Sequence, residues 1–160
     1  MSAQSNLYPR SQAIFLLGEA MSLVVNSKAH DEYSVGELKT RFITPIMLDQ
    51  FRIYRGKQGP VGIVTWAAVA DDISEKLVFG HTLTPSQIKS GRNIWLLEFI
   101  APFGHARKIS QDLRDNIFPG RRVNAVRRAA GRGRVVKLIV RPKQPSTTTK
   151  LQSIELQERG

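Results

Sequence analysis

The apolar run at positions 94–100 constrains the fold of this chain most, because a single acidic residue interrupts it. The run reads Ile-Trp-Leu-Leu-Glu-Phe-Ile, and Ala101-Pro102-Phe103-Gly104 ends it. A short apolar run of this kind predicts a strand that is buried on both faces. Because alternate residues of a strand share a face, we expect Glu98 to lie beside Ile94, Leu96 and Ile100.

The carboxylate of Glu98 is therefore a candidate for a functional group. An ionised carboxylate in such an environment is costly unless it has a partner, and carboxylates of this kind often belong to active sites. The alternative is that Glu98 lies at the rim of the sheet and meets water.

Hydrophobic periodicity predicts the remaining elements. They are a helix over 11–25, a helix with Ser34 and Glu37 as its capping box, strands at 51–54 and 61–69, a short helix or irregular segment at 71–79, a helix from Gly104 to about Pro119, and a basic hairpin built from 123–128 and 135–140. Pro45 is expected to end the second helix. The order predicts an α+β fold with a central mixed sheet flanked by helices.

The length of 160 residues fits one domain, for which we predict residues 11–143, after a flexible segment 1–10 and before a polar tail 144–160. The chain has no cysteine, which excludes disulfides, cysteine-ligated metal and a cysteine nucleophile. We predict no metal site. No apolar stretch is long enough for a membrane span and the N-terminus lacks a secretory signal, so we expect a cytoplasmic protein.

Positive charge is concentrated near the C-terminus. The net charge is +11, and the segment from Gly120 to Lys143 carries basic residues but no acidic one. Such a segment attracts a polyanion, which can be nucleic acid, a phosphate-bearing cofactor, an acidic membrane or an acidic protein. A nucleic-acid-binding module is therefore one hypothesis, although the hairpin lacks aromatic residues for base stacking. A solvated face without a specific partner is the other.

His30 is the histidine whose position is most informative. It lies in a short polar loop between two apolar helices, close to Asn26 and Ser27. Such a loop suits a reactive group held by a rigid scaffold. A histidine titrates near neutral pH and can act as a general base, and a neighbouring carboxylate would orient it.

Several short motifs resemble one protein family. They are Leu17-Gly18, followed by Asn26-Ser27 and His30 at the family's spacing; the stretch Gly59-Pro60-Val61-Gly62-Ile63-Val64-Thr65-Trp66-Ala67; and Ser90-Gly91-Arg92 with Trp95 and Ile100-Ala101-Pro102-Phe103-Gly104. Together they resemble the toxin-activating lysine acyltransferases, the hemolysin C-type proteins that activate RTX protoxins. The resemblance runs from about residue 14 to about residue 140.

The resemblance implies a fold like that of the general N-acetyltransferases and transfer of a fatty acyl group from acyl carrier protein to lysines of an RTX protoxin. It implies no tightly bound cofactor, an acyl-phosphopantetheine thioester as co-substrate, and a homodimer. His30 matches the family's essential histidine, Glu98 its essential aspartate, and Ser27 a serine beside the histidine. Two residues depart from the pattern: Glu98 is one methylene longer than aspartate, and Ser22 replaces a tryptophan. An acyltransferase-like scaffold without activity is therefore a further alternative.

The predicted site places His30 as the base and Glu98 as its partner, with Ser27 and Asn26 in support. A covalent route through His30 or Ser27 stays open. Backbone N–H groups near Ala101 or Phe103, in the loop that contains Gly104, are expected to hold the developing oxyanion. Arg121 and Arg122 are expected to attract the acidic carrier protein.

Overall fold

A mixed five-stranded sheet with helices on both faces forms the centre of the protein. The computed structural model describes residues 9–128 and 135–137. This arrangement confirms the predicted α+β class with a mixed sheet. The segment 1–8, the end of the basic hairpin and the polar tail lie outside the described residues.

The strands follow one another in space in chain order. They are β1 (Phe51–Gly56), β2 (Gly59–Val69), β3 (Asn93–Ile100), β4 (Val123–Arg128) and β5 (Val135–Lys137). The pairings β1–β2, β2–β3 and β4–β5 are antiparallel, whereas β3 and β4 are parallel. The basic segment predicted as a hairpin thus supplies two paired strands.

The helices are α1 (Arg10–Val24), α2 (Val35–Leu38), α3 (Thr44–Met47), α4 (Asp71–Val78) and α5 (Ala106–Asp112). Single 3-10 turns lie at Lys28–His30 and Pro85–Gln87, and π turns lie at Lys39–Ile43 and Leu113–Ile117. The capping box predicted at the start of α2 is present, with Glu37 N bonded to Ser34 Oγ and Ser34 N bonded to the Glu37 carboxylate. Among the described residues, none of these helices has the length and apolar character that a bilayer crossing needs.

Two apolar layers cover the two faces of the sheet. On one face, α1 and the helical segment 35–47 pack against Ile63 and Ile100, and α4 packs nearby against Trp95. On the other face, α5 packs against Val64 and Leu96. Alternating residues of β2 serve the two layers in turn, which is the period expected of a strand that is buried on both sides.

Pro45 does not end the second helix, so that expectation is wrong. Helical backbone continues from α2 through the π turn into α3. In a regular α-helix the N–H of residue 45 would bond the carbonyl of Arg41, and proline has no N–H to donate. Thr65 Oγ1 of β2 donates to that carbonyl instead, at 2.7 Å. A strand side chain thereby replaces the missing bond and ties the helical segment to the sheet.

Candidate active site

Glu98 lies on the face of the sheet that α1 and α2 cover. Ile94 and Leu96 pack in the layer with α5, whereas Ile100 packs in the layer with α1. The expectation that Glu98 shares a face with all three is therefore wrong for Ile94 and Leu96. It holds for Ile100, which lies two residues farther along β3.

A β-bulge in β3 causes this change of face. Thr65 of β2 is opposite Glu98, but the next residue, Trp66, is opposite Leu96. Leu97 is therefore an extra residue on β3, and the alternation of side chains shifts by one position at this point. The bulge turns the carboxylate away from the α5 layer and toward the loop that follows α1.

His30 meets the carboxylate of Glu98 although the two residues are far apart in the chain. α1 ends at Val24, and a single 3-10 turn then carries His30 over the sheet. His30 Nε2 lies 2.9 Å from Glu98 Oε2, and the two side chains are only 8% and 6% exposed. The Tyr33 ring packs against the imidazole in an edge-to-face arrangement at a centroid distance of 4.7 Å. The predicted chemistry depends on the contact between His30 Nε2 and Glu98 Oε2.

The second ring nitrogen of His30 contacts Ser27. Ser27 Oγ lies 2.7 Å from His30 Nδ1. Asn26 is not part of this network: its Nδ2 donates to the main-chain oxygen of Ser22 at 2.7 Å, at the end of α1. Of the two residues predicted to support His30, the structure therefore brings only Ser27 to the imidazole.

Three donors surround the carboxylate of Glu98. Oε1 accepts from Tyr33 Oη at 2.8 Å and from Arg41 Nη1 at 2.8 Å, while Oε2 faces His30 Nε2. A carboxylate with this set of partners acts only as an acceptor, as an ionised carboxylate does. Nε2 therefore carries a proton, and in the neutral imidazole Nδ1 is the basic nitrogen, which accepts from the Ser27 hydroxyl.

Tyr33 and Arg41 are site residues that the sequence analysis missed. Arg41 lies three residues after Leu38 and directly before Phe42, within the apolar face of a helical segment. A cation on an apolar helix face has the same difficulty as an anion in an apolar strand, because each needs a buried partner. The need of both buried charges for a partner is the sequence signal from which the pairing of Arg41 with Glu98 could have been predicted.

The residues expected to bind the acyl donor lie at the two ends of β3. Ala101, Phe103 and Gly104 follow β3 directly, at the end nearer to Glu98. Arg121 and Arg122 precede β4, which is parallel to β3, so they lie beside its start, about 16 Å along the strand from Glu98. Arg121 Nη2 donates to the main-chain oxygen of Arg92 at 2.8 Å. The two arginines therefore lie away from the imidazole.

The two departures from the family pattern have different structural settings. Glu98 reaches His30 in spite of its extra methylene, because the bulge fixes where its side chain begins. Ser22 is exposed on α1, and its hydroxyl donates to the main-chain oxygen of Glu19 at 2.7 Å. A serine at this position leaves the buried face of α1 unchanged.

A second polar cluster lies on the opposite side of the sheet and is separate from His30. Tyr54 Oη donates to Asp112 Oδ2 at 2.7 Å, and Asn116 Nδ2 donates to Asp112 Oδ1 at 2.8 Å. These hydrogen bonds, first that of Asn116, hold the pKa of Asp112 below its ordinary value. Burial, and then the bond to Asp112, raise the pKa of Tyr54. Neither group is thereby suited to act as a base near neutral pH.

The described residues contain no group of three or more histidine and acidic side chains able to hold a metal ion. The site instead contains a carboxylate, an imidazole and a hydroxyl that are hydrogen-bonded in series. A cation and a phenol bind the carboxylate oxygen that does not face the imidazole. Such a series can take a proton from an incoming nucleophile and stabilise the resulting imidazolium.

Comparison with known proteins gives one family. The chain is 37% identical over 118 residues to an uncharacterised protein of Synechocystis, which covers 72% of this chain and 80% of that protein. It is 36% identical over 117 residues to the lysine-acyltransferase RtxC of Vibrio cholerae, with 70% of this chain and 76% of the relative covered. A toxin-activating lysine-acyltransferase of Actinobacillus pleuropneumoniae, ApxIIC, is 30% identical over 112 residues, with coverage of 69% and 64%. The family model of RTX toxin acyltransferases matches residues 10–140, and the chain belongs to that family.

Proposed function

We propose that this protein transfers a fatty acyl group from acyl carrier protein to lysine ε-amines of an RTX protoxin, with His30 as the general base and Glu98 as its partner. The observation that carries the proposal is the 2.9 Å contact between His30 Nε2 and Glu98 Oε2, which joins two segments of the chain in a site of low exposure. The names of the Vibrio and Actinobacillus relatives support lysine as the acceptor.

The chemistry requires a base. A free lysine ammonium has a pKa near 10.4, so it is almost entirely protonated and not nucleophilic at neutral pH. After one proton is lost to water, the neutral amine attacks the thioester carbonyl, and its second N–H proton passes to the base as the C–N bond forms. The C–S bond then breaks, and the pantetheine thiolate takes up a proton. The products are an amide of the lysine and a free thiol on the carrier protein.

His30 Nδ1 is the atom that receives the proton. Nε2 donates to Glu98, so the lone pair of the neutral ring is on Nδ1, toward Ser27. We propose that the Ser27 hydroxyl relays the proton: the amine gives a proton to Oγ while the hydroxyl proton moves to Nδ1. Glu98 stabilises the imidazolium that forms and keeps its Nε2–H oriented, as a carboxylate does in a hydroxyl–imidazole–carboxylate series.

The Ser27→Ala substitution distinguishes this relay from a covalent route. We expect kcat to fall roughly tenfold, because one hydrogen bond to the base is lost while Nδ1 can still take the proton directly. Ser22→Ala is the matched control, since the Ser22 hydroxyl donates to the main-chain oxygen of Glu19 within α1. Complete loss of transfer by Ser27→Ala, together with an acyl adduct on Ser27 in the wild type, would establish the covalent route instead.

The acyl donor is proposed to approach where β3 and β4 part. Their register ends at Leu96 and Ala125, two residues before Glu98, although β4 continues to Arg128. An extended pantetheine arm suits the strand edge that begins there, because its amides can pair with backbone groups. Backbone N–H groups of the following loop, near Ala101 or Phe103, are proposed to hold the oxyanion. Arg121 and Arg122 are proposed to attract the acidic carrier from a distance.

The proposal is tested by intact-mass analysis of an RTX protein that is expressed with and without this chain. We expect a mass gain equal to one or more acyl groups, located on lysine as an amide that survives hydroxylamine. With purified components, acyl-acyl carrier protein is expected to serve as donor, and acyl-coenzyme A is the comparison. No mass gain with either donor would overturn the proposal, and transfer from coenzyme A alone would overturn the choice of carrier.

The same components separate the alternatives. An inactive scaffold would retain acyl carrier protein without transferring the acyl group. A nucleic-acid-binding module would retain DNA or RNA at physiological salt, with an affinity that falls steeply as salt is raised. We expect transfer, and no such retention.

A further inference from the structure

We propose that Arg41 is a positioning residue of this acyl transfer: it holds the bulge of β3 and the far oxygen of Glu98, and its charge keeps His30 available as a neutral base. The role in transfer rests on the function proposed above. The geometric and electrostatic part concerns the resting protein and can be measured without any acyl donor.

One nitrogen of Arg41 secures two acceptors. Nη1 donates to Glu98 Oε1 at 2.8 Å and to the main-chain oxygen of Leu97 at 3.1 Å. Leu97 is the extra residue of the bulge, so its carbonyl lies where the β2–β3 ladder is interrupted. Arg41 therefore stabilises the local backbone that turns Glu98 toward His30, and it binds the carboxylate that this backbone presents.

Occupation of Oε1 determines which oxygen is left for His30. Arg41 and Tyr33 both donate to Oε1, and His30 contacts Oε2. A half-turn of the carboxylate about its Cγ–Cδ bond would exchange Oε1 and Oε2 and keep all three hydrogen bonds. A tilt of the carboxylate plane would break the hydrogen bonds to Arg41, Tyr33 and His30. The fork of donors thus fixes the plane of the carboxylate and, through it, the orientation of the imidazole.

The position of Arg41 is itself fixed by the backbone. It lies in the π turn between α2 and α3, and its carbonyl accepts from Thr65 Oγ1, which is fully buried and directly opposite Glu98 in the β2–β3 register. The guanidinium carbon also lies 5.7 Å from the centre of the Tyr33 ring. Arg41 is therefore held at its backbone and at its side chain.

The charge of Arg41 matters because Glu98 acts on His30 at close range. A carboxylate at hydrogen-bond distance favours the imidazolium, and a ring that is already protonated cannot accept a proton from the amine. The Arg41 guanidinium offsets the effect of the carboxylate on the imidazole, because the ion pair of Arg41 and Glu98 has no net charge. Ser27, Tyr33 and Phe42 also lie against the ring, and none of these side chains is charged near neutral pH. Lys28, Asp31 and Glu32, on the segment of His30 itself, are exposed and screened by solvent.

The test compares Arg41→Met, Arg41→Lys and Tyr33→Phe with the wild type, and Arg114→Met is the matched control. Arg114 is also an arginine in a π turn that pairs with a carboxylate, but that turn follows α5 and the side chain is exposed. In Arg41→Met we expect the titration midpoint of the His30 ring, followed by nitrogen NMR in the resting protein, to move to higher pH, because the Glu98 carboxylate then has no cation beside it. The acidic limb of the pH–rate profile should move to higher pH by the same amount.

Each companion variant separates one contribution. Arg41→Lys keeps the charge but replaces the planar guanidinium by a shorter ammonium side chain, so it should restore the His30 midpoint while kcat stays below that of the wild type. Tyr33→Phe removes a neutral donor and should lower kcat with a smaller shift of the midpoint. In Arg41→Met we expect kcat to fall about 100-fold with little change in KM, because the loss affects the base and not the binding of substrate.

The outcomes distinguish this inference from the proposed function. An unchanged or lowered His30 midpoint in Arg41→Met, with Arg114→Met equal to the wild type, would overturn the electrostatic role even if transfer is observed. A raised midpoint in Arg41→Met, together with a wild type that transfers no acyl group, would leave that role intact and overturn the function. If Arg41→Met does not fold, a normal midpoint and kcat in both Arg41→Lys and Tyr33→Phe would overturn the proposal.

Discussion

Replacement of His30 by alanine is expected to lower kcat for acyl transfer by about 10³-fold, because general base catalysis by a positioned side chain contributes on this scale. The imidazole of His30 has a hydrogen-bond partner on each ring nitrogen, Ser27 on Nδ1 and Glu98 on Nε2. Removal of the imidazole separates the Ser27 hydroxyl from the Glu98 carboxylate. His81→Ala is the control, since His81 is exposed on the loop after α4.

Glu98→Gln is expected to have a loss of similar size while it preserves the volume of the side chain. The amide can still accept from Arg41 and Tyr33, but it carries no charge to stabilise the imidazolium, and its NH₂ group can turn toward Nε2 and favour the wrong tautomer. Glu75→Gln, on the exposed side of α4, is the matched control.

Residues that act as one unit do not contribute additively, so the double variant of His30 and Glu98 should lose little more than either single variant. Initial rates of lysine acylation, measured by mass spectrometry with purified acyl-acyl carrier protein, give these values. Full activity in both single variants would remove the site proposed here, and multiplicative losses would show that the two residues act independently.

Gly91→Ala is expected to destabilise the fold by about 3 kcal/mol, at the upper end of the usual cost of overpacking. A methyl group at this position would lie 2.5 Å from both Ala70 N and Val69 C, which are backbone atoms at the end of β2. These atoms cannot move aside easily, because the carbonyl of Ala68 accepts from both Ser90 N at 2.8 Å and Gly91 N at 2.9 Å. The segment before β3 and the end of β2 therefore approach as closely as the backbones allow.

Gly18→Ala provides the comparison for this prediction. Gly18 lies on the exposed side of α1, and a methyl group there would meet nothing within 4 Å. Alanine is the better helix former, so this substitution should be neutral or should stabilise the protein by up to about 1 kcal/mol. Urea unfolding of both variants measures the difference. A Gly91→Ala variant as stable as the wild type would show that the two segments can separate without cost.

The Gly91 geometry gives a physical reason for one motif that the sequence analysis used only as a resemblance. Ser90-Gly91-Arg92 closes the loop against β2: Ser90 Oγ accepts from Ala70 N, and Gly91 leaves room for the same backbone. Ser90 and Gly91 therefore have a packing role at the start of the strand that carries Glu98.

Local signals were enough to predict most of the elements. The helical spacing of α1, the capping box at Ser34 and the apolar run of β3 each depend on residues that are close together in the chain. Pro45 was misjudged because its effect on the helix depends on whether another group can bond the carbonyl of Arg41. That group, Thr65, is 24 residues from Arg41 in the chain, and no local pattern reveals it.

The sequence by itself determined that a strand with a carboxylate must find polar partners, and that the loop after the first helix carries the one histidine placed to be among them. Only the tertiary structure decided which face of the sheet holds Glu98 and which cation meets it. The face depends on the bulge at Leu97, which is a property of the β2–β3 register and not of β3 alone. The cation is Arg41, 57 residues before Glu98, because the cost of burying a charge requires a partner but does not specify its place in the chain.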